Sequence, residues 1–584
     1  MTGGPNRTRR EFLGDAVKLG VGAILLNPTN KAMAEHPAPI SAGDPLAPAY
    51  LPLLEAPARA FIDRDGTGLV PATRTGPGFS VSGCKVSVTG APLVQAIRVS
   101  CPAGPLSRIV LRWEAVFAPA TLFLGDAWER GYGDLQWRTL QPERVMPWYF
   151  SACDASSGRS LMMGVKTQPS ALCFWTVDAE GVSLWLDFRN GGSPSIPGDR
   201  EIAAAEVAVF GSGPGESPMA ALTRFCGVLC PSPRLAPAPI CGNNNWYYAY
   251  GRDFDAGAIR RDAEFLAGIS SGHPNRPYCV IDAGWTDNSA SVCPGGPWKA
   301  GAPARFPDMP GLAADVRKLG VRPGIWMRPT AVMAVDDPKR LRAGPCTAVE
   351  KPLDLTLPEN QALIREDIAR VRGWGYDLIK HDFSTYDVFG RWGFEMGGDL
   401  TDPGWNFADR SLTNAEILLG HYRNLRSAAG DAVLLGCNTL GHLGAGLFEI
   451  QRTGDDTSGR EWERTRRMGI NTLAFRLPQN RTFFASDPDC AAHTSRTPWN
   501  LDRQFLDLVA RSGTALFVSV DPRTITAAQG DAYRAAMQLA LSGGSGRCEP
   551  LDWLDTTSPR RWKFGDGEAE YGWDEGYGAN PLRI

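Results

Sequence analysis

From Cys241 onward the chain alternates short apolar runs with helical segments, and this rhythm restricts the fold more than any other feature. Tyr278-Cys279-Val280-Ile281-Asp282 reads as a strand. Leu312 to Leu319 reads as a helix and leads into the strand Arg322-Pro323-Gly324-Ile325-Trp326-Met327. A helix over 360–373 precedes a strand over 376–380, and Val433-Leu434-Leu435-Gly436-Cys437 follows another helix. Leu516-Phe517-Val518-Ser519-Val520 repeats the pattern late in the chain. Strands separated by helices pair in parallel, because each helix carries the chain back across the sheet. The stretch spans about 290 residues with polar residues at its strand ends, as in a (β/α)8 TIM barrel. A doubly wound open sheet is the alternative. It is disfavoured because no glycine-rich phosphate fingerprint follows the first strand.

Upstream the rhythm is different. Residues 61–230 carry short alternating strands broken by Gly, Pro and Ser, such as Lys85-Val86-Ser87-Val88 and Ser183-Leu184-Trp185-Leu186-Asp187. They predict an N-terminal β-sandwich domain. Residues 231–240 form a Pro-rich linker, stiff because each Pro fixes its own φ. The expected class is therefore multi-domain α/β plus all-β, with a catalytic barrel over 241–535 and a short C-terminal extension over 536–584. Residues 35–60, rich in Pro and Ala, are expected to be an extended lead-in. Ahead of them, Arg9-Arg10-Glu11-Phe12-Leu13-Gly14 opens an apolar run from Ala16 to Leu26 that ends in Ala32-Met33-Ala34. That order predicts a twin-arginine export signal over 1–34 and a periplasmic or extracellular protein. An ordinary amphipathic helix is the competing reading. No later apolar run approaches the length of a membrane span.

The formal net charge of −3 provides no basic field to hold nucleic acid. The thirteen cysteines are an odd number without a CxxC motif, and the six histidines are scattered. No metal site and no cofactor are expected. Most thiols should be buried, with one or two disulfides formed after export; Cys226 lies near Cys230, and Cys279 near Cys293.

Chemistry in such a barrel gathers at the C-terminal strand ends. The polar residues there are Asp282, Arg328, Lys380, Asp382, Cys437, Asn438, Arg452, Asp455, Asp456, Asp487 and Asp489. Carboxylates dominate, and no Gly-x-Ser-x-Gly elbow is present. Lys380 and Asp382 alternate onto one face of their strand, with His381 on the other. The lysine would keep Asp382 ionised, as a nucleophile requires. On spacing alone, a structural ion pair fits equally well. Arg452-Thr453-Gly454-Asp455-Asp456-Thr457 could pair an arginine with a general acid, or be a solvated turn.

At these residues the chain resembles the glycoside hydrolase family 36 α-galactosidases and their clan relatives in family 27. The blocks fall in the family's order. They are Asn244-Asn245-Trp246-Tyr247-Tyr248, Val280-Ile281-Asp282-Ala283-Gly284-Trp285, Gly324-Ile325-Trp326, Tyr376-Asp377-Leu378-Ile379-Lys380-His381-Asp382-Phe383, Gly436-Cys437-Asn438, Arg452 to Thr457, and Asp487-Pro488-Asp489. The resemblance implies a retaining, exo-acting α-glycosidase with Asp382 as nucleophile and Asp456 as acid/base, Asp455 being the runner-up. It implies that Asp282, Lys380, Arg328, Cys437, Asn438 and Arg452 bind substrate, and that Trp246, Trp285 and Trp326 wall the pocket. The substrate would be a glycoside or oligosaccharide, and an oligomer is possible. Retention needs the two carboxyls about 5–5.5 Å apart, with the acid's pKa raised. Ala283 stands where the family commonly has a second aspartate that reads galactose. Another sugar, such as N-acetylgalactosamine or a pentopyranose, therefore stays open, as do transglycosylation and a non-catalytic carbohydrate-binding barrel.

Overall fold

A computed structural model describes residues 40–574 apart from 41–43, 103, 288–290 and 346–348. The expected export signal over 1–34 and the start of the lead-in lie outside the described residues. Within the expected lead-in, Ala47–Leu53 is a helix rather than an extended arm. Pro48 is compatible with a first helical turn, where its missing N–H has no partner to lose. The helix buries Ala49, Tyr50 and Leu53.

Two antiparallel sheets follow. One has six strands in the order 70–71, 59–63, 108–114, 181–187, 172–178 and 146–147. The other has eight, in the order 73–75, 78–81, 84–91, 94–100, 201–211, 159–165, 149–154 and 121–125. Val86 and Val88 are buried while Lys85 and Thr89 are exposed, the period-two pattern of a sheet with one face in a core. The two sheets meet through their aromatic side chains. Phe150 of the larger packs edge-on against Trp175 of the smaller at 5.7 Å between ring centroids.

After the helix Pro218–Leu229 and the Pro-rich segment, nine strands form one parallel sheet. Their order is 485–487, 450–452, 433–436, 378–381, 322–327, 278–281, 241–244, 516–519 and 491–492. The two outermost strands are separated in sequence only by Pro488-Asp489-Cys490, and the Ala515 N–H donates to the Ser486 carbonyl at 2.9 Å. Val280, Leu378, Leu435, Ile450 and Phe517, from strands spread along this order, pack in one apolar cluster. Several of the helices between strands start at a side-chain cap. Asp255 accepts from the Ala258 N–H at 2.8 Å, and Asp308 from the Gly311 N–H at 2.8 Å. The last helix of this region is Ala527–Leu541, so the expected boundary at residue 535 falls inside a helix. A small antiparallel sheet, 548–550, 561–564 and 567–570, follows it.

Among the described residues all twelve cysteines are free thiols, ten of them buried, and no disulfide is present. Cys279 faces the Ile259 carbonyl of a packed helix, whereas Cys293 lines a pocket. Among the described residues no helix is long and apolar enough to cross a membrane.

Asp262, 1% exposed on the helix Ala256–Ile269, accepts a hydrogen bond from the Tyr248 hydroxyl at 2.5 Å. Burial pushes its carboxyl up to about 7. The folded state therefore holds this proton more tightly than the unfolded chain. The associated stability is complete below pH ~4 and is lost as pH rises through about 7. Asp262→Asn should flatten this part of the profile, which thermal unfolding measured between pH 4 and 8 will test.

Candidate active site

The parallel strands place their C-terminal ends on one side of the sheet, and a pocket of about 350 Å³ opens there. Asp282, Lys380, Asp382 and Asp456 line it, together with Asp455, Trp246 and Trp326. The sequence-predicted residues thus converge from strands far apart in the chain. Lys380 is in register with Trp326 of the neighbouring strand. Its ammonium group reaches Asp282 at 2.7 Å rather than bonding Asp382. Asn244 also donates to Asp282, at 2.6 Å, and the Asp282 N–H is held by Asn245 at 2.8 Å. Burial alone would lower the Lys380 pKa, but the surrounding negative charges, Asp282 foremost, together outweigh it and raise the value well above the ordinary range.

Asp382 follows the strand Leu378–His381. The Trp326 indole N–H donates to one of its oxygens at 3.0 Å and the Phe383 backbone N–H to the other at 2.7 Å. Phe383 has φ +67°, a left-handed conformation that is costly for a bulky L-residue. The turn brings its N–H onto the carboxylate. His381 points away as expected. It packs on Phe448 at 4.6 Å, and burial lowers its pKa to about 3.

Asp456 accepts from Arg452 at 3.0 Å and lies 3.6 Å from Arg130. Burial pushes its carboxyl up, but Arg452, Arg130 and Lys380 together hold it down at about 2. This is the opposite direction from the raised value expected of an acid. Asp455 is paired with Arg464 at 2.7 Å and with Arg130 at 3.2 Å. The whole loop hangs on Asp489, which takes Arg452 at 3.0 Å, the Thr457 N–H at 2.8 Å and the Thr457 hydroxyl at 3.0 Å.

Five predicted substrate-binding residues do not line the pocket. Arg328 is engaged by Asp387 at 2.6 Å and its guanidinium lies over the Phe383 ring at 4.3 Å. It supports the turn after Asp382. Trp285 is fully buried below the pocket floor, with its indole N–H on the Trp326 carbonyl at 2.9 Å. Cys437 is buried beside Arg452, 3.7 Å from its guanidinium. Asn438 bonds Glu129 and holds the Tyr386 N–H at 3.2 Å. Arg452 reaches the pocket only through Asp456.

Several lining residues were not read from the sequence. They are Arg130 and Tyr132 from the antiparallel region, and Cys293, Phe383, Trp392, Phe394 and Arg464 from the loops of the parallel one. The segment that follows the strand Thr121–Gly125 crosses to the parallel sheet. There Gly131 donates to the Thr453 carbonyl at 2.8 Å and accepts from the Asp455 N–H at 2.9 Å. Arg476 fixes the segment through a buried ion pair with Asp126 at 2.9 Å and a bond to the Glu129 carbonyl at 2.5 Å. Glu129 is fully buried, which raises its pKa against the pull of Arg130.

No protein-family model and no curated protein matches this chain. Solved structures do. The architecture is the fold of the glycoside hydrolase family 36 α-galactosidases. An α-galactosidase from Thermus thermophilus, in complex with p-nitrophenyl α-D-galactopyranoside, matches over 84% of this chain and 97% of its own. Its TM-score is 0.56 and its identity 18%. A family 36 α-galactosidase from Geobacillus stearothermophilus matches over 83% of this chain and 72% of its own, with TM-score 0.58 and 15% identity. An α-galactosidase from Lactobacillus brevis matches over 87% and 72%, with TM-score 0.55 and 13% identity.

A side chain at Gly454 would collide with the Thr472 hydroxyl and the Met468 carbonyl. Gly454→Ala should displace the Asp455-Asp456 loop and cost about 1–3 kcal/mol. The loss is measurable as a lower midpoint in urea unfolding, and an unchanged midpoint would show that the loop is not clamped there.

Proposed function

We propose that this chain is a retaining, exo-acting α-glycosidase of the α-galactosidase type, built as a (β/α)8 barrel behind a β-sandwich. The observation that carries the reading is the pair of unlike carboxylates, Asp382 and Asp456, lining one pocket on the scaffold of family 36. The neighbouring structures hold p-nitrophenyl α-galactoside, stachyose and raffinose. In the first step an oxygen of Asp382 attacks the anomeric carbon, the bond to the leaving oxygen breaks, and Asp456 transfers its proton to that oxygen. In the second step Asp456 takes a proton from water, which attacks the glycosyl-enzyme and frees Asp382. The hydrogen bonds from Trp326 and Phe383 fix the direction of the Asp382 carboxylate. Lys380 and Asp282, paired with each other, are placed to exchange hydrogen bonds with sugar hydroxyls.

The low pKa of Asp456 keeps it in the ionised form with which the second step begins. For the acid role it must take up a proton, so glycosylation should fall on the alkaline side as Asp456 ionises. Arg130→Met removes a cation that stabilises the carboxylate. It should raise the Asp456 pKa and move the alkaline limb of kcat/KM to higher pH, whereas Arg130→Lys should leave the limb in place. A pH–rate profile for the three proteins decides this.

Ala283 is fully buried beside Asp282 and supplies no carboxylate to the sugar. This favours a sugar recognised without that second charge. Export through the twin-arginine route belongs to the same reading and rests on residues 1–34 alone.

The deciding experiment is hydrolysis of a panel of p-nitrophenyl α- and β-glycosides. One α-glycoside should be turned over. Asp382→Ala should lower kcat by at least about 10³-fold, on the order of 4 kcal/mol of barrier. Azide should then restore turnover and give the β-glycosyl azide. Full activity in Asp382→Ala would sink the assignment of the nucleophile.

A further inference from the structure

The mouth of the pocket is built from aromatic faces that the two catalytic steps do not use. Phe394, in the turn Gly393–Glu395, is 63% exposed, among the most exposed of the large apolar side chains. Its ring meets Tyr132 edge-on at 5.0 Å. Trp392 stacks on Tyr386 at 4.5 Å and contacts Phe383 at 5.6 Å. Tyr132, Phe383, Trp392 and Phe394 line the same pocket as Asp382 and Asp456. An exposed Phe forgoes the stabilisation its burial would bring. Here it is nonetheless held in place, because the Gly393 N–H is anchored on Glu129 at 3.1 Å and the Tyr132 hydroxyl donates to the same carboxylate.

The polar groups around this patch are already committed to one another. Arg464 is paired with Asp455, Arg130 with Asp455 and Asp456, and Tyr132 with Glu129. A leaving group entering past Asp456 therefore meets ring faces and the edge of a neutralised charge cluster, rather than a row of free donors and acceptors. Flat apolar rings pack on such faces, whereas each hydroxyl of a second sugar that loses water there without a partner carries a penalty.

We propose that Tyr132, Trp392 and Phe394 form the aglycone shelf of this site, and that the group it takes is a planar, apolar aglycone rather than a second sugar. The proposal rests on the glycosidase reading above and adds the class of its leaving group. It also gives the antiparallel region, through Tyr132, a direct part in substrate selection.

The test uses leaving groups of matched chemistry. Wild-type protein is compared on ethyl and 2-phenylethyl α-glycosides of the sugar the panel selects, on a disaccharide of that sugar, and on its α-glycosyl fluoride, which has no aglycone. The 2-phenylethyl glycoside should exceed the ethyl glycoside in kcat/KM by at least about tenfold. Phe394→Ala should bring the ratio of the 2-phenylethyl to the ethyl rate, each normalised to the same protein's fluoride hydrolysis, close to one. Equal rates for the ethyl and 2-phenylethyl glycosides, or a disaccharide preferred over both, would overturn the shelf. Calorimetric binding of the phenyl α-glycosides of the panel sugars to full-length Asp382→Ala, with and without Phe394→Ala, gives a readout independent of turnover. Absence of fluoride hydrolysis by wild type would sink the glycosidase reading. The binding experiment would still decide the shelf: binding weakened by Phe394→Ala supports it, and binding indifferent to Phe394 overturns it.

Discussion

The guanidinium of Arg130 lies 3.2 Å from Asp455 and 3.6 Å from Asp456, buried at the seam between the antiparallel sheets and the parallel one. Much of the site depends on this contact. Two adjacent carboxylates at a strand end repel each other, and in a buried pocket one of them would take up a proton. Arg130, with Arg452 and Arg464, supplies the positive charge that holds the Asp456 carboxyl low and lets the Asp455-Asp456 loop pack closely. The cation is itself secured at its back by Glu129, and the segment that carries it by the Arg476–Asp126 pair. A buried guanidinium is stable only when such partners surround it.

The loop can sit this close to the crossing segment because both chains have glycine at the contact. Gly131 and Gly454 pair backbone to backbone, and each would press a side chain into Thr472. The constraint is local, but its effect reaches the chemistry: the Asp455 N–H is bonded to the Gly131 carbonyl, so the charge cluster and the inter-sheet contact form together.

The two carboxylates are then set apart by their neighbours. Asp382 is held by neutral donors, an indole N–H and a backbone N–H, at the cost of a left-handed Phe383. Asp456 is held by cations. Arg328, expected among the substrate-binding residues, contributes by clamping Asp387 and covering Phe383, which steadies the strained turn. Preorganised donors of this kind do their work before substrate arrives and need no rearrangement during reaction.

The sequence by itself determined the alternation of strands and helices after Cys241, the change of rhythm at the Pro-rich segment, and the strand-end positions of Asp282, Lys380, Asp382 and Asp456. These follow from local periodicity and from the rule that parallel strands present their C-terminal ends together. It misjudged features set by packing. The helix Ala47–Leu53 forms in a Pro- and Ala-rich stretch because its apolar side chains find a core. Trp285 and Cys437 sit under or beside the pocket rather than in it, because side-chain direction at a strand end depends on the neighbouring strand. The tertiary structure alone decided that Lys380 pairs with Asp282, that Arg130 and Tyr132 enter the site, and that the Asp456 pKa moves down rather than up. Each of these is a contact between segments far apart in the chain. No spacing rule encodes such a contact, because the energy of a buried charge is fixed by whatever the fold places within a few ångströms of it.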